Sequence, residues 1–517
     1  MSPPPPVIIV GAGIGGLASA ISLASRGVPV LVLERASQSG GKIRQEQVLG
    51  RTLDAGPTVL TMRWVFDELF ENAQQSFDSH VRLLRASRLA RHFWQGGARL
   101  DLFSDLEESI DAVGTFAGSK EAEGYRRFAD HTAKVHATVR DVFLQSDRPS
   151  LASTLAALRR VGLPALWQVE GHRTLWNALG DYFRDPRLRQ LFARYATYAG
   201  SSPFLSPATL NVIAHVEREG VWLPEGGMRS VADACERVAR GLGVVFRYDT
   251  EVERLVLGTG GVEGVRTADG DTIASAAVVF NGDPAALASG LLGDRVRKAA
   301  SLPKHRSLSA VTICAVAPVR GFDLDYHTVF FSDDYAREFI ELFHQMAVPS
   351  RPTVYVCAQD RAGFKTTAGP DERLFFLINA PATGDTSATE LSSCQTSMLE
   401  TLSQCGWEPE LREGSVITTP ADFATRFPAT GGSLYGAASH GMMSPLSKAP
   451  ARSKIPGLYF AGGGAHPGAG VPMAATSGVL AARAILHDLA STRRLHPMAT
   501  AGGTSTSSAT TAPTPWW

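Results

Sequence analysis

Cysteine is scarce: five in 517 residues, at positions 235, 314, 357, 394 and 405. None stands in a Cys-x-x-Cys spacing and the number is odd, so a disulfide framework is excluded as the organising device and a reducing compartment is expected. No histidine cluster sits at metal-ligand spacing, so no metal is expected either. Neither sign of charge is in excess: 50 Lys+Arg face 50 Asp+Glu. That balance argues against nucleic acid as the partner. Long hydrophobic runs are missing. The apolar stretch over 7–33 is interrupted by glycines and charges, and no other segment reaches span length. The chain opens Met1-Ser2 and four prolines, with neither the basic start nor the apolar core of a signal peptide. The expectation is a cytoplasmic protein whose contact with the inner membrane, if it has one, is peripheral. At 44% hydrophobic and 19% charged, the chain is globular and long enough for more than one domain.

What is present begins at Val7. Val7–Val10 reads as a buried strand, and Gly11-x-Gly13-x-x-Gly16, with Gly15 inside it, opens a small-residue helix over Leu17–Ser25 that Gly27 stops. Val30–Leu33 reads as a second buried strand, ending in Glu34. The order strand, glycines, helix, strand, acid is that of a dinucleotide-binding unit. Gly11 permits the turn, Gly13 lets a pyrophosphate approach the backbone, and Gly16 lets the helix lie close on the strand. Free N–H groups and the helix dipole then face the phosphates, and Glu34 stands where a ribose would be held.

Further along, Gly40-Gly41-Lys42-Ile43-Arg44 places two cations beside a flexible turn, and Asp54-Ala55-Gly56-Pro57-Thr58 is a second turn. Arg91–Trp94 and Arg99–Phe103 read as a hairpin across Gly96-Gly97. Over 119–219 the pattern is helical. One apolar stripe runs through Tyr125, Phe128, Ala129, Val135, Val139, Val142 and Phe143, another through Leu188, Leu191, Phe192, Tyr195 and Tyr198. Either is core, the wall of a long apolar pocket, or a lipid-facing surface. Pro224-Glu225-Gly226-Gly227-Met228 precedes a helix over 229–240, then a strand at 244–246 and a hairpin from 251–256 and 262–266. Ala277–Phe280 is a buried strand ending at Asn281-Gly282-Asp283-Pro284, and Arg373–Asn379 is a strand of a second sheet. A second glycine-rich strand-to-helix joint follows near the other end: strand Gly457–Phe460, loop Ala461–Met473, and a helix of small residues from Ala474.

These motifs expect an α/β protein with a discontinuous Rossmann-like domain built from 1–115, 222–297 and 426–490. An α+β substrate domain over 298–425 is expected beside it. A helical region over 116–221 would line a substrate channel or face a membrane, and a disordered tail would cover 491–517.

The segments Val7–Arg35, Gly40–Arg44, Asp54–Thr58, Pro224–Gly227 and Gly457–Gly478 resemble those of FAD-containing carotenoid desaturases of the bacterial phytoene desaturase type, over nearly the whole chain except the tail. His466-Pro467-Gly468-x-Gly470-x-Pro472 is the most specific of them. Gly432-Ser433-Leu434-Tyr435-Gly436, Ala438-Ser439-His440-Gly441 and Gly470-Val471-Pro472-Met473-Ala474-Ala475 look most like the 1-hydroxycarotenoid 3,4-desaturases. The resemblance implies an extended FAD: pyrophosphate on Gly11–Gly16, ribose on Glu34, with Arg35, Lys42 and Arg44 close by. It also implies Val252 on the adenine, Gly462 closing on the pyrophosphate, and Gly56-Pro57-Thr58 with Gly470-Val471-Pro472-Met473 bordering the isoalloxazine.

The implied reaction removes two hydrogens beside a polyene. The cation left by hydride loss is allylic, so its proton is acidic and a strong protein base is dispensable. His466 and His440 are the candidate proton acceptors; a hydrogen bond that merely holds a loop is the alternative for each. The implied partners are a long apolar carotenoid, a membrane surface, and oxygen or a quinone as electron acceptor. Phytoene or neurosporene desaturation, carotenoid isomerisation and amine-oxidase-like chemistry are the rival activities of such a chain.

Overall fold

The structure is a computed structural model and describes residues 5–140, 169–364, 370–385, 387–442, 444 and 448–494. Its centre is a five-stranded sheet in the order Leu458–Phe460, Val278–Phe280, Val7–Val10, Val30–Leu33, Val245–Arg247. Every neighbouring pair in it is parallel. A parallel sheet is covered on both faces, which is why its inner strands read as unbroken apolar runs. Alternate residues serve the two faces. Val7, Ile9, Val30, Val32 and Val279 pack under the helices Ile14–Ala24, Arg229–Gly241 and Val471–Arg494. Ile8, Leu31, Leu33, Val278 and Phe280 pack against a three-stranded antiparallel sheet, Val252–Leu257, Val262–Thr267 and Thr272–Ala274. Three distant stretches of chain thus build one sheet.

The second sheet has seven strands, in the order Val416–Thr418, Ser309–Pro318, Asp371–Ala380, Val354–Ala358, His327–Phe330, Arg88–Phe93, Arg99–Phe103. It is antiparallel apart from the join of His327–Phe330 to Arg88–Phe93. One face packs on the helix Ala388–Gln404 through Cys394, Met398 and Leu402. The other, with Cys314, Val329, Cys357 and Phe375, shares a core with the helical region. The hairpin expected at 91–103 forms, but it extends this second sheet, although the sequence grouped 1–115 with the nucleotide-binding part.

Both helical stripes turn inward. Tyr125, Phe128, Ala129 and Val135, and Leu188, Leu191, Phe192 and Tyr195, are buried, with Phe183 and Phe192 stacked at 4.8 Å. Val142 and Phe143 lie outside the described residues. The first helix starts at Ile14, three residues before the sequence placed it, and the expected strand 244–246 forms one residue later. The closing helix runs to Arg494, past the expected tail boundary at 491; 495–517 lie outside the described residues. Among the described residues no helix is long and apolar enough to cross a membrane.

Candidate FAD and substrate site

The carboxyl ends of the parallel strands open on one cavity of about 500 Å³. Gly11, at φ +100°, turns the chain out of the first strand. Its N–H donates to Leu33 O at 2.8 Å, so the loop is pinned to the second strand. The remaining glycines are set by contact. A Cβ on Gly16 would lie 2.2 Å from Gly11 O, and one on Gly15 would lie 2.6 Å from both Asn281 Oδ1 and Gly462 N. A Cβ on Gly478 would meet Gly15 O at 2.1 Å. Ser19 ties the two helices at this crossing, its hydroxyl lying 2.9 Å from Gly15 O and 3.0 Å from Gly478 O. The helix Ile14–Ala24 has Gly13 at its N-cap, which offers no side-chain acceptor. Its first N–H groups and dipole therefore face the cavity as an anion site.

Glu34 closes the loop from the other side. Its Oε2 accepts the N–H of Ala12 at 2.6 Å and its Oε1 that of Ala36 at 2.9 Å, which leaves further lone pairs for a hydroxyl donor. Lys42 is half-buried and donates to Leu434 O; desolvation lowers its pKa, partly offset by Asp283. Arg44 is buried between Glu46, at 2.5 Å, and Thr418 Oγ1, at 3.1 Å, and stacks over Phe423. Burial and Arg426 pull its pKa down while Glu46 raises it. Arg35 donates to the carbonyls of Thr425 and Arg426. Asp54 joins two motifs that the sequence left separate. Its Oδ2 accepts from Met228 N at 2.5 Å, and a Cβ on Gly227 would lie 2.1 Å from that oxygen.

The wall of this cavity brings together Gly11, Gly13, Gly15, Glu34, Arg35, Lys42, Arg44, Gly56, Pro57, Thr58, Val252, Gly462, Gly470 and Val471. Gly16, Pro472 and Met473 are not on it. Gly16 is consumed by helix-on-strand packing, and Met473 packs on the core under the sheet. His466 is also off the wall: it is 1% exposed and its backbone N–H donates to Ala449 O at 2.8 Å. His440 is likewise displaced, its Nε2 accepting the N–H of Ser202 at 3.1 Å. Burial and His305 lower its pKa to about 4, so it is neutral with its acceptor already engaged. The structure therefore sets both histidines off the cavity wall and engages the His440 ring with a loop N–H.

Sequence reasoning missed Asn281, which ends a strand it had located. Asn281 Nδ2 donates to Gly11 O at 3.1 Å, while its buried Oδ1 has no partner among the described residues. Of the far half of the cavity it offered only Tyr198, in a stripe read as core, pocket wall or lipid face. There the wall passes to Tyr355, Phe375 and Leu377 of the second sheet, Tyr198 of the helical region, and Tyr335 and Glu338 of the short helix Tyr335–Ile340. Thr58 Oγ1 and Tyr355 OH are 2.7 Å apart, and Tyr355 OH lies 2.6 Å from His327 Nδ1. Burial and Arg194 push the His327 pKa to about 3, so it is neutral. Tyr195 and Tyr198 donate to Glu217 at 2.7 and 2.5 Å, a carboxyl whose pKa burial raises. Elsewhere the fold assembles His136, His215 and Glu219, a grouping the sequence spacing did not reveal. There Arg218 donates to His215 Nδ1 at 2.9 Å and His215 Nε2 lies 3.3 Å from Glu219. Burial lowers the His215 pKa, so the neutral ring takes the guanidinium on Nδ1 and turns Nε2–H toward Glu219.

The residues fit FAD on three structural grounds: an anion site at the helix start, a glycine loop packed too closely on Asn281 and Gly462 to carry side chains at Gly13 and Gly15, and an Asn281 Oδ1 that has no partner among the described residues. Comparison with known proteins agrees. Residues 14–486 match the family described as flavin containing amine oxidoreductase. The chain is 47% identical to hydroxyneurosporene desaturase of Rubrivivax gelatinosus, over 98% of each chain, and 44% identical to that of Cereibacter sphaeroides, over 95% of this chain and 99% of the other. Its fold is similar to that of an oxidoreductase from Methanosarcina mazei, with TM-score 0.60 at 17% identity, over 93% of this chain and 99% of that one. The protein is an FAD-dependent oxidoreductase. It belongs to the flavin containing amine oxidoreductase family and, within it, to the carotenoid desaturases of the phytoene desaturase type.

Proposed function

We propose that the protein is a carotenoid desaturase that removes two hydrogens from a C–C bond next to the polyene of an acyclic 1-hydroxycarotenoid, at C-3,4. The observation that carries this reading is the continuity of the cavity. One wall runs from Glu34 and the glycine loop to an apolar and aromatic half at Phe375, Leu377 and Tyr335, and the relatives named above act on a carotenoid of this kind. FAD, when bound, supplies the acceptor for the hydrogen that departs with an electron pair. The chain's own residues hold and exclude. Gly11–Gly15 and Glu34 grip the dinucleotide, while Thr58, tied to Tyr355, fixes the wall where the two halves meet. Phe375 and Leu377 keep water from a polyene laid along them. Because the proton next to a delocalised cation is acidic, no strong base is required of the protein. The electron acceptor is oxygen or a quinone, and the protein meets the inner membrane peripherally to take up its apolar substrate.

The test is to incubate FAD-loaded protein with 1-hydroxyneurosporene and, separately, phytoene in liposomes, reading products by spectrum and mass. Loss of two hydrogens with a red-shifted spectrum from the hydroxylated substrate is expected. Turnover of phytoene alone would replace the substrate assignment, and unchanged mass from both would replace desaturation with isomerisation or amine-oxidase-like chemistry.

A further inference from the structure

A wall built for a hydrocarbon has little use for a buried acid, yet Glu338 is 1% exposed and lines the cavity. Its Oε2 accepts from Thr353 Oγ1 at 2.7 Å, and Thr353 is itself placed by the N–H of Ser332 at 3.3 Å. Its Oε1 has no hydrogen-bond partner among the described residues. Three residues earlier, on the same helix face, Tyr335 also lines the cavity, and its buried hydroxyl has no partner among the described residues. The ring of Tyr335 stands edge-on to Phe339 at 5.0 Å and near Trp176 at 6.3 Å, so this polar pair is set in an aromatic surround. Buried polar atoms without partners are costly unless a ligand completes them. Two other hydroxyls on this wall are engaged, Thr58 with Tyr355 and Tyr198 with Glu217. Thr312 Oγ1 is unpartnered too, but it stands opposite Thr418, which serves Arg44, and so belongs to the cofactor end.

We infer that Glu338 Oε1, with the Tyr335 hydroxyl beside it, receives the terminal hydroxyl of the carotenoid and sets the preference for a hydroxylated over an unhydroxylated chain end. The substrate O–H donates to Oε1, and Tyr335 donates to the substrate oxygen. This rests on the carotenoid-desaturase reading. A site whose buried groups need a hydroxyl rejects the analogue that lacks one, because those groups are then left unpaired. Burial raises the Glu338 pKa to about 7, with Glu341 adding to it and Thr353 and Arg194 opposing. The carboxyl can therefore meet the hydroxyl in either protonation state.

The experiment uses holoenzyme in liposomes with two acyclic carotenoids that differ only in the terminal hydroxyl, comparing wild type, E338L, E338Q and Y335F. E338L should lower kcat/KM for the hydroxylated carotenoid ~10- to 100-fold, mainly through KM, and leave its counterpart within ~3-fold. Y335F should act in the same direction with a smaller effect, and E338Q, which keeps an acceptor, should retain most of the selectivity. If E338L does not fold, Y335F and E338Q decide. Equal losses on both substrates, or no loss on either, overturn the assignment. A wild type that prefers the unhydroxylated carotenoid overturns this inference together with the substrate reading; a wild type that prefers the hydroxylated one, with variants of unchanged selectivity, overturns the Glu338 role alone.

Discussion

Gly478→Ala probes the crossing on which the nucleotide site is built. A methyl group at this position would sit 2.1 Å from Gly15 O, 2.9 Å from Ser19 N and 3.0 Å from Ala18 Cβ. Two of these atoms are backbone of the opening helix and cannot rotate away. To reach an ordinary 3.4 Å contact the closing helix must retreat by about 1.3 Å, which is overpacking of a kind that costs about 1–3 kcal/mol. Alanine in place of an interior helical glycine would by itself stabilise by up to about 1 kcal/mol. The net expectation is a loss of about 1–2 kcal/mol. The retreat also moves Gly470 and Val471, at the start of that helix, away from the glycine loop, and breaks the hold of Ser19 on Gly478 O. Urea unfolding of the apoprotein should show the lower midpoint. Dialysis against flavin-free buffer, followed by the flavin absorbance ratio, should show faster FAD loss than wild type. The sign decides the case: helix propensity alone raises the midpoint, so a stabilised variant with full flavin content would refute the close crossing and the account of Gly15 that depends on it.

Glu34→Ala removes the acceptor of two backbone N–H groups as well as the proposed ribose partner, and should weaken FAD binding by ~10- to 100-fold, measured by flavin titration of the apoprotein; unchanged affinity removes Glu34 from the site. Gly13→Val should retain still less flavin, because a Cβ here already approaches Asn281 Nδ2 to 2.9 Å. Glu338 has a folded pKa of about 7 against an ordinary 4.5, so its contribution to stability is fully present below pH 4.5 and is lost as pH rises through about 7. The stability difference between wild type and E338Q should therefore move against the wild type by up to about 3 kcal/mol from pH 4 to pH 8, and a pH-independent difference in urea midpoints would contradict a buried, proton-holding carboxyl. Flotation with anionic liposomes should carry part of the protein upward, and recovery wholly in the dense fraction would count against peripheral attachment.

What the sequence made legible follows from range. The glycine loop and the two joints beside it are local: Gly11, Gly13 and Gly16 act through backbone within a few residues of themselves, so strand, turn and helix could be read in order. The inner strands of the parallel sheet were legible because burial on both faces leaves runs such as Val30–Leu33 with no polar residue. Asn281 was visible only as the end of a strand, because its role is to fill the space left by glycines some 270 positions away. Arg88–Phe93 carries nothing that says which sheet it joins; that is settled by its parallel register with Thr328–Phe330. The two histidines show the same limit in reverse. A histidine in a glycine-rich loop reads as chemistry, until the fold puts Ser202 N–H on His440 Nε2 and buries His466 away from the cavity wall. Glu338 is the extreme case. In sequence it is one acid among several near Asp333, Asp334 and Glu341, indistinguishable from a solvated face. Glu341 has its oxygens taken by Arg337 and Ser350, and Asp334 caps the helix through Arg337 N. Of these four, the carboxyl hydrogen-bonded to Thr353 is the one with a buried oxygen that has no partner among the described residues. The meaning of an acidic residue here is set by which neighbour the sheet places opposite it, and that information is held by the pairing of strands far apart in the chain.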